Sequence, residues 1–428
     1  MSHLLEDLRY RGLFHQVTGD PEGSELGRHL DTPGRSVYAG FDPTRDSLTI
    51  GNLLQIILLR RFQLAGHRPV VVMGGGTGLI GDPSGKESER PVLTKEQIAH
   101  NVAGQRAIME QLLEFGGAQP TLLLDNASWL ASLSYLDMLR DVGKHFSVNM
   151  MIQKDSVRER LNSREQGISY TEFSYMILQA YDFLHLFDSH GVSLQVGGSD
   201  QWGNIVAGVE LIRKKRAADA FGWTIPLLTK SDGSKFGKTE SGAVWLTAER
   251  TSPYAFYQFW LNAGDAEVVA LLKTFTFLSR EQIEALIVEH AAAPERRVAQ
   301  RALAEQVTGL VHGASALEQA KRASQALFSG DVSGLDAATL AQVFEDAPAS
   351  QHERALLGGA GVDILELLVS TKLVSSKREA RQMLESGAIS VNGARVGLEH
   401  RLTERDLLHG SMSLLRRGKK NWHVARWS

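Results

Sequence analysis

Val37-Tyr38-Ala39-Gly40-Phe41 leads into the turn Asp42-Pro43-Thr44, and its meaning comes from the segments beyond it: a helical pattern from Leu53 to Ala65, then Pro69-Val70-Val71-Val72-Met73. Apolar, β-branched runs closed by turn residues and separated by a helix make a strand–helix–strand unit. Strands joined through a helical crossover run parallel. The same rhythm recurs downstream. Residues 95–116 carry a helical pattern, Thr121-Leu122-Leu123-Leu124 reads as a strand, and Val192-Ser193-Leu194-Gln195-Val196 as another that stops at Gly197-Gly198. A Rossmann-like α/β domain with a parallel sheet is expected over residues 1–245.

Composition narrows the function classes. With 43% hydrophobic and 22% charged residues among 428, the chain can bury a large core and is not a disordered or fibrous protein. Its aliphatic run Leu53-Leu54-Gln55-Ile56-Ile57-Leu58-Leu59 is far short of the roughly 20 residues that a membrane span needs. The start, Met1-Ser2-His3-Leu4-Leu5-Glu6-Asp7, lacks a basic segment followed by an apolar one. A cytoplasmic enzyme without a membrane partner is expected. Cysteine is absent, which removes disulfides, thiolate metal sites and cysteine nucleophiles. Residues 361–428 hold 12 Lys+Arg against 7 Asp+Glu, while the other 360 hold 34 against 42. A basic tail on an acidic body suggests that one end meets a polyanion.

From about residue 250 helical stretches take over, as in Glu281-Gln282-Ile283-Glu284-Ala285-Leu286-Ile287 and Ala302-Leu303-Ala304-Glu305-Gln306-Val307. An α-helical domain is expected over 246–330. The Gly-, Ala-, Asp- and Ser-rich stretch after it suits a linker over 331–360, and a small α+β domain is expected over 361–428.

Gly76-Thr77-Gly78-Leu79-Ile80-Gly81 fits the spacing of a dinucleotide-binding turn after a strand. Pro83 falls where the phosphate-binding helix should run, and Asp82 would set a carboxylate against a pyrophosphate. A glycine turn that presents Asp82 to a ligand ammonium is the better chemical reading. In the helical segment Tyr170 to Leu184, Tyr175, Gln179 and Asp182 share one face, with Phe173, Ile177, Ala180 and Leu184 opposite. Convergent polar groups on an apolar helix suit a pocket wall. Gly197-Gly198-Ser199-Asp200-Gln201-Trp202-Gly203-Asn204 again places glycines beside short polar side chains at a strand end, where open α/β sheets bind ligands.

Thr229-Lys230-Ser231-Asp232-Gly233-Ser234-Lys235-Phe236-Gly237-Lys238-Thr239 carries paired lysines on a glycine-bearing loop, suited to following phosphate charge that moves during a reaction. Together with the Tyr38 to Thr44 segment, the Gly197 to Asn204 segment and the Tyr175/Gln179/Asp182 helix, this loop closely resembles that of the bacterial-type tyrosyl-tRNA synthetases, over essentially the whole chain.

The resemblance implies a class I synthetase. Such an enzyme activates L-tyrosine with ATP and nucleotide-borne Mg²⁺, without a tightly bound cofactor or metal site, and then transfers tyrosine to tRNA(Tyr), working as a homodimer. It implies that Tyr38 and Asp182 grip the phenol, that Asp82, Tyr175 and Gln179 hold the ammonium, and that Gln201 lies near the carboxylate. Gly40, Asp42, Gly51, Asn52, Gly198, Asp200 and Lys238 match ATP-contacting positions, and Thr44, Thr49, Asn52, Lys235, Lys238 and Thr239 match catalytic ones. A phenol and a carboxylate that lose partners when the hydroxyl is missing reject phenylalanine without editing, for which tyrosine-specific synthetases are the familiar illustration.

One departure stands out. Where class I enzymes carry His-Ile-Gly-His, this chain reads Thr49-Ile50-Gly51-Asn52. An Asn amide can imitate a histidine donor, whereas the Thr49 hydroxyl is shorter and uncharged. Restoring histidine at both positions is expected to raise the adenylation rate.

In the tail, Ser376 to Gly387 reads as a capped helix carrying Lys377, Arg378 and Arg381, followed by a hairpin at Val391-Asn392-Gly393. Arg416-Arg417-Gly418-Lys419-Lys420-Asn421-Trp422 adds a basic loop with an aromatic ring, a composition suited to structured RNA. This segment resembles the small RNA-binding module, named after a ribosomal protein, at the C-terminus of bacterial tyrosine enzymes. Two rivals are a tryptophan-specific relative, against which Tyr38 and Asp182 argue, and a catalytically impaired paralogue that acts as an RNA-binding protein, which only Thr49 and Asn52 favour.

Overall fold

The computed structural model describes residues 3–82, 93–154, 157–158, 161, 167–229, 236–239, 242–332, 334–345, 347–418 and 421–428, the side chains of 238, 239 and 328 excepted. Contacts divide the chain into two compact units, one of Met1–Arg250 with Ala263–Leu303, the other of Thr251–Asn262 with Ala304–Ser428.

The first unit begins with α1 (His3–Tyr10), β1 (Gln16–Val17) and α2 (Ser24–Leu30). The expected strand–helix–strand unit is β2 (Ser36–Phe41), α3 (Ile50–Leu64) and β3 (Arg68–Met73). Next come α4 (Lys95–Leu112), β4 (Leu122–Asp125), α5 (Tyr170–His190), β5 (Val192–Gly198), α6 (Trp202–Arg216) and β6 (Phe221–Ile225). The strands form one sheet in the order β1-β6-β5-β2-β3-β4, parallel throughout except for β1, which runs antiparallel to β6. From β2 the chain steps to β3 and β4 on one side, then returns to β5 and β6 on the other. The reversal opens a crevice at the carboxyl ends of β2 and β5, the place where such sheets bind ligands.

Burial on both faces explains the unbroken apolar runs. Val37, Ala39, Val70, Val71, Val192 and Leu194 are all fully buried. One face packs Tyr38, Val70, Val72 and Val192 with Phe183 and Leu184 of α5 and Leu211 of α6. Some bounds, and one whole strand, differ from the sequence reading. The third helix begins at Ile50 because Thr49, in extended conformation, occupies its N-cap. The edge strand β1 escapes notice because two residues carry no periodicity.

The expected helical domain is shared between the units. Its segments are α7 (Pro253–Leu261), α8 (Val268–Phe275), α9 (Arg280–Ala292) and α10 (Val298–Ser329), the last interrupted at Gly313. The α8 end belongs with the sheet domain because buried Arg11 and Arg61 both donate to the Thr276 carbonyl, at 3.2 and 2.5 Å. Such burial of guanidinium groups demands fixed acceptors.

Residues 331–360, expected as a linker, are an integral part of the second unit. They hold α11 (Ala337–Val343), capped by Asp336, and β9 (Ala349–His352). The small residues misled because Leu335, Leu340 and Phe344 are buried against Leu414 and Val424. After β10 (Val362–Asp363) come α12 (Ile364–Ser370), α13 (Lys377–Glu385), β11 (Ile389–Val391), β12 (Ala394–Arg395), β13 (Arg401–Leu402), β14 (Met412–Arg417) and β15 (Asn421–Trp427). Their main sheet has the order β12-β11-β14-β15-β9. The hairpin turn is as read: Val391 pairs with Ala394, and Asn392 and Gly393 take φ of 49° and 90°. Both values suit a type I′ turn.

Candidate active site

A cleft of about 220 Å³ opens at the carboxyl ends of β2 and β5. Tyr38, Gly40, Asp42, Thr44, Asn52, Asp82, Tyr175, Gln179, Asp182, Asp200 and Gln201 line it, so most of the residues singled out in the sequence converge there. Thr49, Gly51 and Gly198 are not in its wall, and Gly197 takes the place of Gly198. Lys235 lies outside the described residues. Lys238 and Thr239 form a short strand, β7, paired with Gly242–Ala243 as β8; their side chains lie outside the description.

One end of the cleft is built to keep a carboxylate in the dark. Asp182 is 4% exposed, and accepts from Asn126 Nδ2 at 2.9 Å and from the Trp129 indole at 2.7 Å. Its pKa is raised to about 7, chiefly by burial, with Asn126 and Trp129 pulling it down and the Asp42 and Asp125 charges adding to the rise. Across from it, Tyr38 is 2% exposed, and its hydroxyl has no partner among the described residues. Burial and the Asp182 charge hold that phenol well above its ordinary range. Gln195, opposite Tyr38 in the strand register, leaves its Oε1 equally buried and unpartnered among the described residues. Orphaned polar atoms of this kind are costly unless a ligand satisfies them.

The rest of the wall is acidic and connected. Tyr175 donates to Asp42 Oδ2 at 3.1 Å, and Thr77 donates to Asp42 Oδ1 at 3.1 Å. Asn126 Nδ2 also donates to Thr77 Oγ1 at 3.0 Å, so Asp182, Asn126, Thr77, Asp42 and Tyr175 are joined in one hydrogen-bonded chain. Gln201 donates to Asp82 at 2.7 Å and accepts from Asn204 at 3.2 Å, which fixes its amide beside a carboxylate that is 6% exposed.

Glycine serves space as well as conformation here. A Cβ on Gly74 would overlap Asp42 Oδ1, and one on Gly75 would overlap the Asp125 carboxylate, which accepts from Gly75 N at 3.1 Å. The turn after β3 can only lie against β4 without side chains. Among the described residues no dinucleotide-type helix starts there: Thr77–Leu79 is a single 3-10 turn.

Asn126, Trp129, Thr77 and Gln195 were not found in the sequence. Asn126 comes directly after Asp125 at the carboxyl end of β4, so the strand-end rule that led to Asp82 and Asp200 would have reached it. Trp129 gave no comparable signal.

The family described as "tRNA synthetases class I (W and Y)" matches residues 32–329, and that described as "Tyrosine--tRNA ligase SYY-like C-terminal domain" matches residues 339–425. The chain is 54% identical to the tyrosine–tRNA ligase of Geobacillus kaustophilus and 53% identical to that of Geobacillus stearothermophilus, in each case over 99% of this chain and all of the relative. Among solved structures it resembles a C-terminally truncated mitochondrial tyrosyl-tRNA synthetase of Aspergillus nidulans, with a TM-score of 0.68 and 31% identity, covering 76% of this chain and 94% of that one. A tryptophanyl-tRNA synthetase of Encephalitozoon cuniculi shares the fold at 13% identity and a TM-score of 0.53, over 74% and 89% of the two chains. The crevice at the β2–β5 switch point, its braced carboxylate and these full-length likenesses give one answer: the chain belongs to the class I tRNA synthetases, in the tyrosine–tRNA ligase family.

Proposed function

We propose that the enzyme activates L-tyrosine with ATP and passes it to tRNA(Tyr). In the first step a tyrosine carboxylate oxygen bonds to the α-phosphorus of ATP, the bond to the β-phosphate oxygen breaks, and pyrophosphate leaves. In the second a ribose hydroxyl at the tRNA 3′ end gives up its proton and attacks the acyl carbon, and AMP leaves with the electrons of the broken acyl–oxygen bond. What supports this reading most is the pairing of Tyr38 and Asp182 in one cleft. A phenol needs an acceptor for its proton and a donor to its oxygen, and the Asp182 carboxylate, once ionised, and the orphaned Tyr38 hydroxyl supply them. The substrate ammonium would sit against Asp82, with Tyr175 and Gln179 alongside, and Gln201 would face the carboxylate.

ATP would lie along Gly40, Asp42 and Thr44 toward the start of α3, where Gly51 and Asn52 offer backbone and amide donors, with Gly198 and Asp200 toward the ribose. Lys235, Lys238 and Thr239 would track the leaving pyrophosphate. The nucleotide would bring its own Mg²⁺; among the described residues no group of three or more His, Asp or Glu side chains could hold a metal ion. No described helix is long and apolar enough to cross a membrane, and we assign the enzyme to the cytoplasm with its tRNA. The work divides between a tyrosine-activating domain in the first 245 residues and a tail that binds RNA. The relatives named above are ligases, and no observation favours a chain that only binds RNA.

A homodimer is part of the proposal. Tyr135, Leu136, Leu139, Val148, Met150 and Ile152 expose large apolar side chains within one short stretch, Leu136 at 75%. So many exposed apolar side chains within one stretch suit an interaction face. Leu136→Asp with Met150→Asp is expected to convert a dimer to monomers by light scattering.

The deciding experiment is tyrosine-dependent exchange of labelled pyrophosphate into ATP, alongside tryptophan and phenylalanine. Exchange with tyrosine alone is expected. No exchange with any of the three, while tRNA binding persists, would overturn the reading.

A further inference from the structure

Thr49 stands where class I enzymes carry the first histidine of their motif, yet it is absent from the cleft wall, whereas Asn52 lines it. Its polar atoms are spent inward. Thr49 N and Thr49 Oγ1 each lie 3.0 Å from the same atom, Asn52 Oδ1. A backbone N–H can only donate, so the atom it meets has to be the carbonyl oxygen of the amide and not its nitrogen. The hydroxyl then donates to the second lone pair of that oxygen. With both lone pairs engaged on one side, Asn52 Nδ2 is directed away from Thr49, and it has no partner among the described residues.

Thr49 is itself anchored. It bridges antiparallel to Trp245, with Leu246 N donating to Leu48 O at 2.8 Å and Ile50 N to Val244 O at 3.3 Å. The segment that carries Thr49 is therefore held by a short backbone ladder, and its extended φ of −106° places the side chain over the first turn of α3.

We infer that Thr49 is a positioning residue: it clamps the Asn52 carboxamide so that an N–H donor, never the carbonyl, is offered to the nucleotide. A free asparagine can turn its amide over and present an acceptor, which would repel a ribose or phosphate oxygen. The inference rests on the proposed tyrosine activation and assigns Thr49 a different task from the histidine it replaces. Thr49 and Asn52 then act as a unit, and their effects are not independent.

The test compares Thr49→Val, Thr49→Ser, Asn52→Ala and the double variant Thr49→Val/Asn52→Ala of the full-length enzyme in pyrophosphate exchange, with thermal melts alongside. Thr49→Val keeps the shape and the backbone donor but loses the hydroxyl. It is expected to lower kcat/KM for ATP roughly fivefold, the effect of one neutral hydrogen bond, with KM for tyrosine unchanged. Thr49→Ser restores most of that loss, and the double variant is no slower than Asn52→Ala alone. Equal losses in Thr49→Val and Thr49→Ser, multiplying losses in the double variant, or a tyrosine KM that rises with that for ATP would each overturn the clamp. Unchanged ATP kinetics in Thr49→Val beside an active wild type would overturn the inference alone. A wild type without tyrosine-dependent exchange would overturn it together with the reading beneath it.

Discussion

Asn126 Nδ2 sits 2.9 Å from Asp182 Oδ2, and its amide also donates to Thr77, so one side chain ties the floor of the cleft to its acidic wall. That hydrogen bond governs a proton. Asp182 carries a pKa of about 7, raised chiefly by burial and held from rising further by Asn126 and Trp129. A phenol O–H needs the ionised form as acceptor, so kcat/KM for tyrosine is expected to rise with pH through about 7. Asn126→Ala removes a donor to the charged form, and the midpoint of that profile should move to higher pH. Stability takes the other sign. A folded carboxyl that binds its proton more tightly than the unfolded one, at 3.8, costs stability as pH rises from about 4 to about 7, with no further loss above. Asp182→Asn should flatten that segment of a pH–melting curve.

Tyr38→Phe tests the other half of the phenol pair. The buried hydroxyl has no hydrogen-bond partner among the described residues, so its removal leaves the protein's own packing intact. The free enzyme should be as stable as the wild type or slightly more so. Activation of tyrosine should lose about 0.5–1.5 kcal/mol, or roughly 2- to 12-fold in kcat/KM, while that of phenylalanine hardly changes. Parallel exchange assays read the ratio directly, and an unchanged ratio would remove Tyr38 from discrimination.

Gly104 makes a prediction in which two rules oppose each other. In the middle of α4, alanine is better than glycine by up to about 1 kcal/mol on helix propensity alone. Here a Cβ would run into the backbone carbonyl of Asp46. On the same face, Asn101 donates to Pro43 O at 2.8 Å and Gln105 to Arg45 O at 2.9 Å, which pins the loop carrying Asp42 and Thr44. Backbone cannot rotate away as a side chain can. Gly104→Ala is expected to destabilise by about 1–3 kcal/mol and to raise KM for ATP more than that for tyrosine. A melting temperature at or above the wild-type value would show that the loop yields.

Much of this site was legible because strand ends are legible. Tyr38, Asp82 and Asp200 belong to or come after apolar runs that can only be buried strands, and the 3.6-residue period sets Tyr175, Gln179 and Asp182 on one face of α5. What was hidden depends on contacts distant in the chain. Trp129 matters only because Asp182, far along the chain, folds against its indole, and no local pattern announces such a partner. The supposed linker failed for a related reason: β9 reads as polar loop, yet its register against β15, Ala349 beside Val424, makes it a sheet edge. Small residues describe the chain locally, and the partner strand decides the outcome.

The tail separates by charge accounting. Lys377 pairs with Glu366 and Arg417 with Glu379, each at 3.0 Å, and Arg416 lies over the Trp422 ring at 4.9 Å. Lys419 and Lys420 lie outside the described residues. Arg378 and Arg381, by contrast, are exposed on α13, three positions apart and hence on neighbouring turns of the same helix, and form no ion pair among the described residues. They can meet phosphate without first breaking an ion pair. Arg378→Glu with Arg381→Glu should lower kcat/KM for tRNA charging roughly tenfold at low salt and make its fall with added salt shallower, since a protein that neutralises fewer phosphates releases fewer counterions. Pyrophosphate exchange reports the first step alone and should not change. If charging survives both reversals while Arg416→Ala or Arg417→Ala abolishes it, the sheet side of the tail, not α13, carries the RNA.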